Sequence, residues 1–270
     1  MNKEHVQFAG TIPGNYDHYM GPLFFEPYAI ELVQRIDTTN VKSVLEIACG
    51  TGRVTRHLVQ QLPPNTEIIA TDLNAGMLAV AKGQLQAPNL RFAEADAQQL
   101  PLEDDSFDLV VCQFGFMFVP DKQQAFNETY RVLKTGGELL FATWDSLERN
   151  QLTLIIKNVV AKHLDAVAAD FYNVPFSFYD KSTITALLNR AGYKDLQTDI
   201  VMKEVSYGTA MDAARGLIAG TPAYKVILDK DPNAPEKLIQ IAGREVSALY
   251  GNGIITTQLS ALVCRARKGK

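Results

Sequence analysis

A chain of 270 residues that is 47% hydrophobic and 21% charged has the mix of an ordinary globular protein, long enough for one large domain or a domain with a sizeable insertion. A net charge of −4 leaves no global basic field for nucleic acid, and the basic tail Arg265 to Lys270 reads as a solvated end. No segment approaches the ~20 apolar residues of a membrane span, and Met1 to Gly10 carries no signal-peptide pattern. Cys49, Cys112 and Cys264 are odd in number and lie in or beside apolar runs, so they read as small buried hydrophobes in a reducing compartment, with no metal-ligand spacing. These observations predict a cytoplasmic protein, monomer or homodimer, without a bound metal, a membrane span or a nucleic-acid partner.

The first 20 residues are polar and aromatic, with Phe8, Tyr16 and Tyr19, and a helix is expected after Gly21-Pro22. Its inward positions are Phe25, Ala29, Leu32, Val33 and Ile36. A strand over Ser43 to Ile47 runs into Gly50-Thr51-Gly52 and then a helix carrying Val54, Leu58 and Leu62, which stops before Pro63-Pro64. A second strand covers Glu67 to Thr71. The next helix follows Asn74 and buries Leu78, Ala81 and Leu85. Strands over Leu90 to Glu94 and Phe107 to Gln113 come next, then a helix from about Asp121 to Leu133 with Ala125, Thr129, Val132 and Leu133 inward. A Gly136-Gly137 turn leads into a strand over Glu138 to Trp144.

Five strands alternating with helices through short connections predict an α/β doubly wound parallel sheet. After Trp144 the rhythm changes. A broad apolar helix is expected over Leu152 to Leu164, an irregular aromatic stretch over Asp170 to Tyr179, and a helix over Ser182 to Ala191 closed by Gly192. A strand follows at 195–207, then two helices within 209–250 split at Asp231 to Pro235, then a strand over Thr257 to Arg267. The expected organisation is a single domain over 1–270, with an N-terminal arm and helix at 1–36 and a sheet core at 37–145 that carries the glycine turn. Insertions at 146–178 and 208–253 form a helical cap, and 254–270 holds the final strand and tail.

The glycine turn lets a backbone approach a ligand, the helix behind it offers free N–H donors, and Asp72, 20 residues beyond Gly52, suits ribose hydroxyls. A dinucleotide fingerprint would need a third glycine where Thr55 stands, so a nicotinamide or flavin reading fits only in part.

Three further segments discriminate: Asp72 to Leu78, Glu94 to Asp108, and Val119-Pro120-Asp121 leading to Leu133 through Glu138. With the glycine loop, their order and spacing resemble the class I S-adenosylmethionine-dependent methyltransferases, and most closely the small-molecule group that includes the ubiquinone/menaquinone C-methyltransferases. The resemblance covers roughly residues 15 to 145. It implies a Rossmann-like, mostly parallel seven-stranded sheet, S-adenosylmethionine as cofactor and S-adenosylhomocysteine as product.

By position, the resemblance implies that Glu46 lies near the cofactor's ammonium and the loop backbone. Gly50 and Gly52 shape the loop, and Ala48 stands where many members have glycine, a mild change where φ is negative. Asp72 takes the ribose hydroxyls, Leu73 and Met77 wall the adenine, and Asp96 with the Ala97 N–H reads the adenine edge. Gln113 lies where a backbone carbonyl faces the methionine portion, and the segment holding Tyr16 folds over the cofactor.

Methyl transfer from a sulfonium needs alignment and exclusion of water more than a catalytic constellation. Of His5, His18, His57 and His163 none has a paired carboxylate at motif spacing, and His18 or His163 is the candidate base should the nucleophile be a phenol. Tyr19, Met20, Phe114, Phe116, Met117 and Trp144 are expected to make an apolar, aromatic acceptor pocket, with Phe171, Tyr172, Phe176, Phe178 and Tyr179 from the cap. The expected acceptor is a small, largely apolar or aromatic molecule methylated on oxygen or carbon. An N-methyltransferase acting on an amine and a non-catalytic cofactor-binding protein are the alternatives.

Overall fold

The computed structural model describes residue 8 and residues 10–269; His5 lies outside the described residues. In chain order the elements are α1 (Ile12–Asn15), a π-helical segment (Tyr16–Phe25), α2 (Glu26–Gln34), β1 (Ser43–Ile47), α3 (Arg53–Gln61), β2 (Glu67–Asp72), α4 (Ala75–Gln84), β3 (Leu90–Glu94), β4 (Phe107–Gln113), α5 (Lys122–Val132) and β5 (Leu133–Trp144). Then come α6 (Gln151–His163), α7 (Ala166–Ala169), α8 (Lys181–Ala191), β6 (Tyr193–Thr209), α9 (Ala210–Ala219), α10 (Ala223–Lys230), α11 (Ala234–Tyr250) and β7 (Ile254–Lys268).

The seven strands form one sheet in the order β3-β2-β1-β4-β5-β7-β6. The first five strands pair in parallel, and β7 pairs antiparallel to β5, as the expected α/β sheet requires. The order reverses between β1 and β4, so the strand ends there open a crevice at their carboxyl side. β1 is buried along its whole length, and β4 nearly so, as in a sheet covered on both faces.

The chain divides into two compact units. One holds Tyr28–Trp144, Phe178–Val201 and Ala261–Lys270, and therefore β1 to β5. The other holds the described residues up to Pro27 together with Asp145–Ser177 and Met202–Ser260, which include the segments expected to form a cap. In this second unit α9 presents Gly216 and Gly220 to the π-helical segment. A Cβ on Gly216 would meet Tyr19 Cβ at 2.9 Å, and one on Gly220 would meet the Tyr16 nitrogen at 3.1 Å. The two glycines let the arm's backbone lie against the helix.

Three expectations change. The N-terminal helix does not wait for Gly21-Pro22: helical structure begins at Ile12, with Pro22 inside the π-helical segment. Proline lacks an N–H and crowds the carbonyl of the preceding turn, and the wider π turn accommodates both. Gly136-Gly137 is not a turn before β5 but an irregularity within it, where Gly136 takes φ +83° and the register with β4 shifts. The segment 209–250 holds three helices, because Thr221-Pro222 separates α9 from α10 before Asp231 to Asn233 separates α10 from α11. As expected, all three cysteines are free and buried.

Candidate functional site

The carboxyl ends of β1 and β4 carry four unusual backbone positions. Ala48, just after β1, takes φ +54°, and Phe114, just after β4, also takes φ +54°. Gly50 and Gly52 take φ +57° and +87°. Only glycine enters the left-handed region without strain, so Ala48 is not the mild change that a negative φ would make it. Its neighbour compensates: a Cβ on Gly115 would come within 2.6 Å of Ala48 Cβ and 2.7 Å of Cys112 Sγ, so Gly115 leaves room for both.

Two acids sit beneath this loop, both buried. Glu46 accepts the Thr55 hydroxyl at 2.6 Å and the Thr55 backbone N–H. Gly52, the residue before α3, has no side chain to cap that helix, so Glu46 caps it from the adjacent strand. Thr55, the residue that breaks the dinucleotide fingerprint, is therefore the anchor of the buried acid. Burial pushes Glu46 up to about 8, with the nearby Asp72 charge adding to the shift and Thr55 opposing it.

Asp72 is held on both oxygens. One accepts the Gly50 N–H at 2.9 Å, and the other accepts the Asn74 N–H at 2.8 Å. Burial raises its pKa, and the backbone N–H groups of Asn74 and Gly50 oppose that rise. Among the described residues no lysine or arginine forms an ion pair with Glu46 or Asp72.

Leu73, beside Asp72, exposes 51% of its surface, whereas Met77 is buried with its methyl 3.6 Å from where a Gly50 Cβ would stand. Met77 thus supports the glycine loop from below. The loop after β3 is tied to β2 by the Ala95 N–H on the Asp72 carbonyl at 3.1 Å. It presents a half-buried Asp96 and a buried Ala97. Gln113 ends β4 half-buried, paired with Ala142 of β5.

Beyond β4 and β5, Phe114 and Trp144 stack with ring centroids 3.9 Å apart at an interplanar angle of 5°. Tyr28 meets both rings edge-on, each at 5.4 Å, and its hydroxyl donates to the Val201 carbonyl. The positive φ of Phe114 accompanies this placement of its ring. Tyr28 was not legible as a site residue, because its spacing is simply that of the inward face of α2.

The expected open rim is not there: Phe114 and Trp144 are themselves buried, and Phe116 and Met117 more completely so. These last two are fully buried, and Phe116 packs against Phe126 at 4.7 Å and Phe141 at 5.3 Å. The helical turn Phe116–Phe118 directs them inward, where burying apolar area outweighs lining a pocket.

Tyr16, His18, Tyr19 and Met20 lie together on the π-helical segment of the other unit. Tyr16 stacks on Phe25 at 4.6 Å, Met20 is buried, and His18 is exposed with its ring edge-on to Tyr19 at 4.6 Å. His163 is exposed at the end of α6, and His57 is half-buried on α3. Of the cap aromatics, Phe171, Tyr172 and Phe176 are buried in the unit that contains α6 and α9, and Tyr172 donates to the Leu217 carbonyl. Phe178, also buried, belongs with the sheet unit, and Tyr179 is exposed. No described helix is long and apolar enough to cross a membrane. No cluster of metal-ligating side chains occurs among the described residues.

The residues fit S-adenosylmethionine. A glycine cradle, two buried acids without a cationic partner among the described residues, an exposed leucine and a carboxylate beside a backbone N–H supply the donors, acceptors and apolar walls that a cationic nucleoside ligand needs.

Comparison with known proteins agrees. A family model described as a methyltransferase domain matches residues 44–137. The ubiquinone/menaquinone biosynthesis C-methyltransferase UbiE of Idiomarina loihiensis is 31% identical over 201 residues, covering 68% of this chain and 80% of that protein. Its counterpart in Legionella pneumophila is 30% identical over 227 residues, covering 76% and 91%. The counterpart in Hahella chejuensis is 42% identical over 112 residues, a stretch that spans only 45% of that relative's length. Among solved structures, YcgJ of Bacillus subtilis superposes with a TM-score of 0.61 at 22% identity, over 90% of this chain and 99% of that one. Haemonchus contortus phosphoethanolamine N-methyltransferase 2 does so with a TM-score of 0.64 at 17% identity, over 99% of this chain and 59% of that one, a likeness of fold. Sheet order, glycine loop and relatives converge: the chain belongs to the class I S-adenosylmethionine-dependent methyltransferases and resembles the ubiquinone/menaquinone C-methyltransferases among them.

Proposed function

We propose that this chain transfers a methyl group to a small, largely apolar or aromatic acceptor, on carbon or oxygen. The observation that carries this reading is the placement of Glu46, Asp72 and the Phe114–Trp144–Tyr28 cluster at the carboxyl ends of neighbouring parallel strands. The names of the relatives, C-methyltransferases of quinone biosynthesis, favour carbon and a quinone-like ring.

When bound, S-adenosylmethionine supplies a methyl group already activated on a sulfonium. The chain's own residues bind, orient and exclude water. Asp72, pre-set by the Gly50 and Asn74 N–H groups, takes the ribose hydroxyls. Asp96 accepts from the adenine amino group, the Ala97 N–H donates to the ring, and Leu73 covers the base. Gly50 and Gly52 let the methionine portion lie against the backbone, with Ala48 and Gln113 beside it, and Met77 holds the loop. Glu46 fixes the start of α3 by accepting the Thr55 hydroxyl.

Phe114 and Trp144, stacked on each other and buried, form an apolar backing at the strand ends that helps to exclude water from the displacement. Tyr16, Tyr19 and Met20 add apolar and aromatic surface on the unit that carries them. His18 is exposed, which suits a proton carrier more than a fixed base.

The test is an acceptor panel. The protein is incubated with S-adenosylmethionine and, separately, quinols, phenols and amines, and products are read by mass spectrometry for one added methyl. Methylated quinol or phenol supports the reading. Methylation of amines alone, or cofactor binding without turnover on any acceptor, contradicts it.

A further inference from the structure

The loop that carries Asp96 and Ala97 has little structure of its own, and side chains from α5 hold it in place. At its far end a single guanidinium, Arg131, donates to the Leu100 carbonyl at 3.0 Å, to the Leu102 carbonyl at 2.7 Å and to Asp104 at 2.7 Å. Arg131 is itself gripped by Glu128 at 2.8 Å, and Glu128 also accepts the Leu100 N–H at 2.8 Å.

At the near end the tie is Gln98. Its backbone N–H donates to Asp96 Oδ1 at 2.8 Å. Its carboxamide nitrogen donates to both Asp96 oxygens, at 3.1 and 3.2 Å. Its carboxamide oxygen accepts the Asp121 N–H at 3.0 Å, and its carbonyl accepts from the Gln124 side chain at 3.2 Å. Asp121 in turn caps α5 through the Gln124 N–H at 2.9 Å. It also directly follows the loop that begins with Phe114.

A carboxylate on a loop can rotate, and rotation misaligns a contact meant for one edge of a flat base. Three donations from one residue remove that freedom. They also distribute the bonds unequally: Oδ1 receives two donors, whereas Oδ2 receives only the longer contact and keeps capacity to accept another. The amino group of adenine is a donor of the same kind as the Gln98 carboxamide.

We propose that Gln98 is a positioning residue for adenine. Its carboxamide sets the Asp96 carboxylate with Oδ2 presented to the 6-amino group, and its oxygen braces that setting on the start of α5. The proposal rests on the assignment of Asp96 to adenine. Gln98 reaches the base only through Asp96, so what it governs is discrimination as well as affinity. A 6-oxo base offers an acceptor to Asp96 and an N–H to the Ala97 N–H, and both contacts are repulsive only while Asp96 is held in place.

The experiment titrates the full chain with S-adenosylhomocysteine and with S-inosylhomocysteine, its 6-oxo counterpart, by calorimetry. The variants are Gln98→Met, nearly isosteric and without polar atoms, Gln98→Glu, which keeps the acceptor toward Asp121 but loses the donor toward Asp96, and Asp96→Asn. Gln98→Met is expected to weaken S-adenosylhomocysteine about tenfold and to narrow the preference over S-inosylhomocysteine by a similar factor. Gln98→Glu is expected not to restore either. Unchanged affinity and preference in Gln98→Met, with Asp96→Asn weakened, would overturn the role of Gln98 while leaving the adenine reading standing. Restoration of both by Gln98→Glu would reduce Gln98 to a tie between loop and helix. An unaffected Asp96→Asn would overturn the adenine reading and the proposal with it.

Discussion

The two ends of the parallel sheet handle buried carboxylates in opposite ways. At the amino ends of β1 and β4, Asp108 accepts the backbone N–H groups of Lys42 and Ser43 and the Ser43 hydroxyl, and it pairs with Lys134 at 2.8 Å. Partial burial raises its pKa, but the Lys134 ammonium and these donors outweigh burial and hold it below the usual carboxylate range. At the carboxyl ends, Glu46 and Asp72 are more deeply buried, have hydrogen bonds but no cation among the described residues, and are pushed upward. One end is complete within the protein. The other keeps two buried acids with raised pKa values, two non-glycine residues at positive φ and an exposed leucine, a combination that serves a ligand rather than the fold.

The sharpest way to break this contrast is Asp72→Ala. Removing the acid deprives the ribose of its acceptor and frees the Gly50 N–H, and S-adenosylhomocysteine affinity should fall by more than about 100-fold, read by calorimetry, with unfolding still cooperative. Retained affinity would remove the ribose from this end of the sheet.

The two ends should also respond to pH with opposite sign. Glu46 has a folded pKa of about 8 against an ordinary 4.5, so between those values the folded state holds the extra proton. Its contribution is fully present below about 4.5 and is lost as pH rises through about 8. Asp108, with its pKa lowered from 3.8, contributes above that value, and its contribution is lost as pH falls through the folded value. Denaturant midpoints from pH 4 to 9 in Glu46→Gln should lose the alkaline decline of the parent protein. A decline of equal size in both would mean that Glu46 is not its source.

Asp108→Ala should destabilise the fold by about 1–3 kcal/mol, because it leaves two backbone N–H groups and Lys134 without their acceptor. Cofactor affinity of the folded protein should not change, and a matching loss of affinity would erase the distinction between the ends. Gly115→Ala should destabilise by about 1–3 kcal/mol through its clash with Ala48, whereas Ala48→Gly should stabilise by about 1 kcal/mol or less as it relieves a positive φ. Thermal unfolding of the two variants checks both signs.

Much of the sheet was legible because its signals are local. Apolar runs bounded by glycine, asparagine and proline mark β1 to β4 to within a residue, and Gly192 marks the end of α8. Glu46, Asp72 and Asp96 were legible as acids at the ends of apolar runs, and their order made the family resemblance. What was missed is what depends on contacts distant in sequence. Thr55 looked like a fault in a fingerprint until β1 placed Glu46 against it. The close approach of the π-helical segment to α9 depends on Gly216 and Gly220, some 200 residues away, and no window of the N-terminal sequence contains that information. Phe116 and Met117 looked like rim residues because a loop after a strand usually is one, yet one helical turn sends them into the core. The positive φ of Ala48 has no sequence signature, because alanine rarely adopts it.

The most direct test of the central claim is a parallel calorimetric titration of the full chain with S-adenosylmethionine, S-adenosylhomocysteine and NAD, repeated on Asp72→Asn. The account predicts saturable binding of the two adenosyl ligands at one site, none of NAD, and loss of both affinities in the variant. Binding of NAD alone, or adenosyl affinities that survive Asp72→Asn intact, would contradict it.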